Sequence, residues 1–527
     1  MGEIQTKSVA KAASVIMVAM LFSRILGYAR DVVIYSQFGQ NRTTDAYNAA
    51  FAIPDFLSIL LMGGAFSAAF IPVFSGYLAK NNEKEAWEVA SIIFNIAVVV
   101  LLVGITLGLI FTPWLIPLVA IGFRNEAETV ALTVKMSRIM FGQAFFISLS
   151  GIMVGILNSY KEFTAPAIAG VAYNAGIIIF GLLLINHFGI VGFAIGVVMG
   201  AVLNFAVQLP AVLRLGWKYT LSFNWRHPGV KRVAILMAPM LIGLSVVNLN
   251  LIINQNLAST LPEGLVSALR AAQRIMQLPI GIFAVAIAVA VFPTLTEQAA
   301  KKQDETFKST MNLGIRTVIF VTLPAAVGLM ALGVPIVRLL FQWGSFTPEA
   351  TSTTAYALFF YAFGIAAYSA NHVLNRSFYA LEDTTTPVKI AFTTIIINFV
   401  LNLLLIRVWG HGGLALANSL AGIYSMVMLS YFIRRKLGAI GGRKLLVSFA
   451  KTGLASVIMG AVAYGMANLI EGLIDLSVKL NQIIQVGATI AVAGLLYLAI
   501  TGLLKMEEIE MLKGIVRKRI VRKRPVS

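Results

Sequence analysis

Arginines placed where a chain should be apolar are the chemistry on offer here. Ser23, Arg24, Arg30 and Asp31 sit in the apolar run 10–36, Asp45 stands at the head of the next run, and Arg270 and Arg274 lie four residues apart in SALRAAQRIMQLP. A charge at bilayer depth costs at least about 2.5–3.5 kcal/mol, so such groups face a wet interior and mark a pathway. Guanidinium groups grip phosphate oxygens in a planar, two-pronged way that lysine cannot copy, and four of them would neutralise a diphosphate. Ser23 and Arg30 are seven residues apart, as are Arg24 and Asp31, which places all four on one side of a helix with Gly27 between them. Arg270 and Arg274 share a helix face with Gln273 and Gln277. The spacing therefore predicts two arginine pairs facing one anionic cargo. A structural reading stands beside it, in which Arg24 clasps Asp31 and Arg30 clasps Asp45. Arg270 and Arg274 have no carboxylate nearby in sequence, so their counter-charge would be the ligand.

The elements that must position these residues are membrane spans. The chain has 527 residues, is 58% hydrophobic and only 12% charged, and its mean hydropathy is +0.85, a composition of a polytopic membrane protein. The first apolar run is too long and too charged for a secretory signal, and lacks a small-x-small cleavage site, so it reads as the first span. Windows long enough to cross hydrocarbon fall near 10–36, 44–75, 88–112, 130–157, 165–186, 188–213, 231–258, 265–297, 308–332, 351–380, 386–407, 411–434, 445–470 and 481–504. That predicts an all-α protein of fourteen transmembrane helices. With the N-terminus inside, Arg42, Arg124, Arg338, Arg407 and Lys479 are the basic residues left in outer loops. The positive-inside rule then places both termini in the cytoplasm. Topology also accounts for most of the net charge of +19, so no nucleic-acid partner is expected. The tail KGIVRKRIVRKRPVS reads as an anchor on anionic membrane lipid.

The chain repeats itself. At a constant offset of 221 residues Pro72 matches Pro293, Lys80 matches Lys301, Pro166 matches Pro387, Gly189 matches Gly410, Gly192 matches Gly413 and Arg214 matches Arg435. Each repeat holds six spans, an even number, so the expectation is two parallel six-helix lobes, 1–221 and 222–440, around a central cavity with the site at their interface. Helices 13 and 14 (441–504) stand outside the repeat, and 505–527 form a basic cytoplasmic tail.

Several chemistries are absent from the sequence. There is no cysteine, and His187, His227, His372 and His411 are too scattered for a metal cluster. No GxxxxGK[ST] loop, HExxH or GxSxG occurs, so neither an ATP-driven pump nor an intramembrane hydrolase is expected. No cofactor is expected. The energy would come from the membrane potential, worth about 2.3 kcal/mol per charge per 100 mV, or from a coupling ion.

The blocks FSRILGYARD (22–31), TTDAYNAAFAIP (43–54), GAFSAAFIPVF (64–74), RIMQLP (274–279), LFQWGSFT (340–347) and DTTTPVKIA (383–391) resemble the MurJ (MviN-type) lipid II flippases of the multidrug/oligosaccharidyl-lipid/polysaccharide exporter superfamily. The resemblance covers essentially the whole chain. It implies a bacterial inner-membrane flippase that moves undecaprenyl-diphosphate-linked peptidoglycan precursor to the outer leaflet, serves cell-wall synthesis and its protein partners, and seats the polyprenyl tail in a groove of helices 13 and 14. It also implies that Arg24, Arg30, Asp31, Asp45 and Arg274 act in the central cavity with Ser23 beside them. The chain departs from the family where some members carry an arginine at the position of Ser58, a lost positive charge that Arg270 would replace. Some members resemble a sodium-binding arrangement on spans 7, 11 and 12. Here Asn398 and Asn402 are weak ion candidates, and those spans hold no carboxylate. An exporter of another lipid-linked oligosaccharide is the alternative cargo reading. A small-cation drug exporter would favour carboxylates over arginines.

Overall fold

The structure, a computed structural model, describes residues 2–62 and 64–510, save the side chains of 2–17, 20, 60–62, 64, 65, 239, 242–247 and 249. The tail expected to meet anionic lipid lies, from 511 onward, outside the described residues. Among the described residues every regular element is helical. The chain divides into two compact units, one of Met1–Ser267 with Trp343–Phe346, the other of Ala268–Gln342 with Thr347–Ser527.

The first unit contains α1 (Gly2–Phe38), α2 (Arg42–Ala50), α3 (Ala52–Met62), α4 (Gly64–Ala79), α5 (Glu83–Val119), α6 (Ala127–Ser159), α7 (Thr164–Phe188), α8 (Ile190–Arg214) and α9 (Pro228–Ser259). The second contains most of α10 (Leu265–Pro279), then α11 (Val285–Ala300), α12 (Asp304–Ala331), α13 (Gly333–Phe341), α14 (Pro348–Ala362), α15 (Ile365–Ala380), α16 (Thr385–Leu437), α17 (Gly442–Leu473) and α18 (Lys479–Leu503). Among the described residues nine helices are each long and apolar enough to cross a membrane, and α14 with α15, bent by 45°, makes a tenth. Some apolar windows are not single helices. The window 44–75 is divided among α2, α3 and α4, with Pro54 in the first turn of α3, where its missing N–H costs little. The window 265–297 is α10, a π-helical turn at Ile280–Ala284 and α11. Pro279 immediately before the turn cannot donate the next helical bond, and the turn widens to accommodate it.

Backbone breaks recur at the offset that the sequence repeats on. Asn81 (φ 55°) and Lys302 (φ 54°), Lys161 (φ 62°) and Glu382 (φ 58°), and Gly189 (φ 55°) and Gly410 (φ 54°) are all left-handed. The hydrogen bonds that close these turns correspond too: Asn82 N–H to Tyr77 O and Gln303 N–H to Gln298 O, Glu162 N–H to Leu157 O and Asp383 N–H to Phe378 O. Gly189 turns α7 directly into α8. Gly410 does the same inside α16, so that α16 is two antiparallel spans joined by one residue. Only glycine takes this backbone conformation without strain.

Packing is by small residues and stacked rings, as expected where lipid removes the usual hydrophobic drive between helices. In the first unit Phe66, Phe70 and Phe74 stack along α4 at 5.1 Å and meet Trp87 of α5 edge-on at 5.6 Å. In the second, α17 lays Ala455, Met459, Ala463 and Ala467 against α12, and Tyr497 of α18 donates to the Phe320 carbonyl at 2.7 Å. Ion pairs fasten both ends of this added pair: Arg316 to Glu507 and Glu508 at 2.9 and 2.7 Å, and Arg338 to Glu471 at 3.0 Å. Their other faces expose Leu454, Val457, Leu469, Leu480 and Leu495 to lipid.

Asp383, in the turn before α16, shows how such a turn is held. It accepts from Thr386 N–H at 3.0 Å, from Thr386 Oγ1 at 2.9 Å and from Lys436 Nζ at 3.0 Å. Partial burial works to raise its carboxyl, but those donors pull it well below the usual carboxylate range. A depressed folded value stabilises the protein above the unfolded value, and that stability is lost as pH falls through the folded one. The thermal stability difference between wild type and Asp383→Asn in detergent is therefore expected at full size at neutral pH, shrinking only in strong acid.

Candidate functional site

In the first unit α1 packs on α7 at Gly27, where a Cβ would stand 3.3 Å from Asn174 Oδ1. That close approach brings Asn174 under the polar side of α1. Its Nδ2 donates to the Ser23 carbonyl at 3.3 Å and to the Gly170 carbonyl at 3.0 Å, while Oδ1 accepts from Arg30 Nη1 at 3.3 Å. Arg30 also places Nε and Nη2 on the Asp31 carboxylate, at 2.9 and 2.7 Å. The guanidinium is thus fixed by an acid and an amide, with only 12% of the side chain exposed. Ser23 is half-buried against α7, and Arg24, one residue on, is exposed.

Asp45 has a different place from the clasp with Arg30. It is fully buried and accepts from Gly264 N–H at 2.7 Å, Ser267 N–H at 2.8 Å and Ser267 Oγ at 2.7 Å. These are the orphan donors at the start of α10, so Asp45 caps that helix from the head of α2. Arg42, 3.7 Å from Asp45, also binds Glu126 at 2.8 Å and completes the cluster. Thr44, Asn48 and Tyr35 surround Ser267 through its hydroxyl and carbonyl. The clasp pairs of the sequence are therefore corrected: Arg30 takes Asp31, and Asp45 takes α10 with Arg42. A salt bridge between neighbours in sequence is unexpected on a helix, where adjacent residues diverge, but the long arginine reaches round.

In the second unit α10 presents Arg270, Arg274 and Gln277 on one exposed face, while Ala271, Ala272, Ile275 and Met276 are buried on the other. This is the shared face that the four-residue spacing predicts. Asn398 and Asn402 are almost wholly buried and hydrogen-bond to each other at 3.2 Å along one turn of α16. Among the described residues no group of three His, Cys, Asp or Glu is arranged to hold a metal ion.

Sequence reasoning missed Asn174, Ser267 and Gly264. Asn174 carried a signal, since an amide in an otherwise apolar span needs partners. Ser267 and Gly264 carried none, because their role exists only against Asp45.

Apolar helices of this number, some broken and some carrying internal arginines, define a multi-pass membrane protein. Among solved structures, the chain resembles an inward-facing multidrug resistance MATE transporter of the MOP superfamily with a TM-score of 0.64, at 14% identity over 81% of this chain and 98% of that one, a likeness of fold alone. A structure described as "Lipid II flippase MurJ, inward closed conformation" aligns with a TM-score of 0.77 and 28% identity, over 93% of this chain and 98% of that one. Residues 34–482 match the family described as "Lipid II flippase MurJ". A lipid II flippase MurJ of Burkholderia cenocepacia is 32% identical over 79% of this chain and 82% of its own. A probable lipid II flippase MurJ of Rhizobium tropici is 31% identical over 96% of each. The chain belongs to the MurJ family of lipid II flippases, and it is a transporter rather than a catalyst.

Proposed function

We infer that this protein carries undecaprenyl-diphosphate-linked peptidoglycan precursor, lipid II, from the inner to the outer leaflet of the bacterial cytoplasmic membrane. The observation that carries the reading beyond family membership is the pair of arginines, Arg270 and Arg274, on the exposed face of α10. With Arg24 and Arg30 of α1 they supply four guanidinium groups, enough for the charge of a diphosphate. In this reading Arg24, Arg270 and Arg274 touch the headgroup. Asp31 and Ser23 hold the α1 side in shape, and Asp45 positions α10. The halves 1–221 and 222–440 act as two lobes that rock about this site by alternating access. Helices 13 and 14 (441–504) offer the polyprenyl tail their exposed apolar faces. Both termini lie in the cytoplasm by the distribution of Lys and Arg, with the basic tail (505–527) on anionic lipid and cell-wall synthesis proteins as partners.

Purified protein in vesicles with a fluorescent lipid II tests the cargo directly. Transport of another lipid-linked oligosaccharide but not lipid II would favour the alternative. An anionic headgroup leaving an inside-negative compartment gains about 2.3 kcal/mol per charge per 100 mV. Collapsing the potential is expected to slow flipping about tenfold or more. An unchanged rate would remove the potential as the driving force and leave a coupling ion.

A further inference from the structure

The span made of α14 and α15 has one side that packing leaves open, and its chemistry is unlike that of its neighbour. Seven of residues 368–379 are buried, and the five that reach the surface are Tyr368, His372, Asn375, Arg376 and Tyr379. All five are polar and recur every three or four residues, so they form a single stripe along α15. The first half of α16, the adjoining span, instead exposes Phe392, Ile396 and Phe399, as a helix that faces lipid does. Imidazole, amide and guanidinium turned to hydrocarbon would be costly, so the stripe of α15 faces a water-filled path.

The fold itself does not require these residues. At the offset of 221, His372, Asn375 and Arg376 correspond to Gly151, Val154 and Gly155 of α6. Close packing there needs the glycine, since a Cβ on Gly155 would stand 2.9 Å from the Phe70 ring of α4. In α15 the matching place carries a guanidinium, laid over the Phe292 ring of α11 at 5.5 Å. No acid meets it. Neither α15 nor α16 contains a carboxylate, and on the other helices packed against α15, Glu297 pairs with Lys301 while Asp304 and Glu305 stand exposed in the first turn of α12. Among the described residues no carboxylate pairs with His372 or Arg376.

We propose that His372, Asn375 and Arg376 bind a phosphate group of the lipid-linked cargo, at a step separate from the arginines of α10. Arg376 supplies a permanent charge and a two-pronged grip, held at its angle by the Phe292 ring. The Asn375 amide and one ring N–H of His372 add neutral donors within the same turn. A metal ion does not suit the place, because the guanidinium repels it. Phe292 lies eighteen residues, about five helical turns, beyond Arg274 along the same broken span, so the two places serve different points of the path. With both termini inside, α15 ends on the cytoplasmic side, and this is where the headgroup is first met. The proposal rests on the flippase reading for its cargo, though not for the water-facing stripe.

The chain has no cysteine, so one introduced thiol reports one position in the intact protein. In vesicles, His372→Cys and Arg376→Cys should react with a charged methanethiosulfonate, while Val373→Cys, buried in the fold, and Ile396→Cys, on the lipid side, should not. Undecaprenyl diphosphate should abolish labelling at both reactive positions, and undecaprenol, which has the tail without the phosphates, should leave it unchanged. Arg376→Gln should raise the lipid II concentration needed for half-maximal flipping about ten- to a hundredfold, and Arg376→Lys should recover part of that loss. The proposal is overturned by an unreactive stripe, by labelling that undecaprenyl diphosphate does not slow, or by equal protection from undecaprenol. Protection by inorganic diphosphate but not by the lipid would also overturn it, in favour of a free-anion site. A wild type that flips no lipid II overturns the cargo reading, and protection by undecaprenyl diphosphate then decides the phosphate site alone.

Discussion

Arg274→Ala will fail to rescue a strain depleted of its lipid II flippase, while the protein is made, inserted and folded as well as wild type. The side chain is exposed on α10, and the buried face of that helix is built from Ala271, Ala272, Ile275 and Met276. Truncating an exposed arginine changes stability by within about 1 kcal/mol. A charge-assisted bond to phosphate contributes about 1.5–3 kcal/mol, so headgroup binding should weaken about ten- to a hundredfold. Arg274→Lys separates geometry from charge. It keeps the cation and loses the fork, so partial rescue means that the two-pronged grip matters. Arg270→Ala should behave in the same direction, with Arg270 and Arg274 sharing one face four residues apart. Full rescue by Arg274→Ala at matched expression would exclude this arginine from the site and leave the family assignment standing. Arg30→Ala is the poorer probe, because it also strips Asp31 and Asn174 of a partner.

Asp45→Ala should act through the fold. It leaves the N–H groups of Gly264 and Ser267 and one side of Arg42 without that acceptor, and the Ser267 hydroxyl with Thr44 alone as acceptor, around a carboxylate that is fully buried. Breaking a buried, hydrogen-bonded charge costs about 3–5 kcal/mol, and loss of a helix cap alone costs about 1 kcal/mol. A marked drop in melting temperature in detergent and in the amount of inserted protein is expected. Asp45→Asn should recover part of both, since its carbonyl oxygen still accepts from one or two of the donors. Normal stability with lost transport would instead make Asp45 a ligand-binding group.

These two residues mark where reading the chain from its letters succeeds and stops. The face of α10 was legible because helical periodicity places 270, 274 and 277 together whatever surrounds them. The clasp partners were not legible. Arg30 bonds its neighbour Asp31 through the reach of a long side chain that Asn174 of α7 steadies. Asp45 finds donors more than two hundred residues away. Helix breaks fall between these cases. Pro279 announces a disturbance, but only the folded chain shows that it becomes a π-helical turn.

The sequence by itself determined the class of protein, its membrane windows, its repeat and the identity of the charges. Each of those depends on composition, period or local chain geometry; the left-handed turns at Lys161 and Glu382, or Gly189 and Gly410, show the repeat written into local backbone. Tertiary structure alone decided what each buried polar group bonds to: Asp45 as a cap, Asn174 as a brace for Arg30, Gln143 beside Asp55 with one oxygen unused. In an apolar interior a polar atom must find a partner wherever the fold brings one within about 3 Å, and no spacing along the chain records that distance.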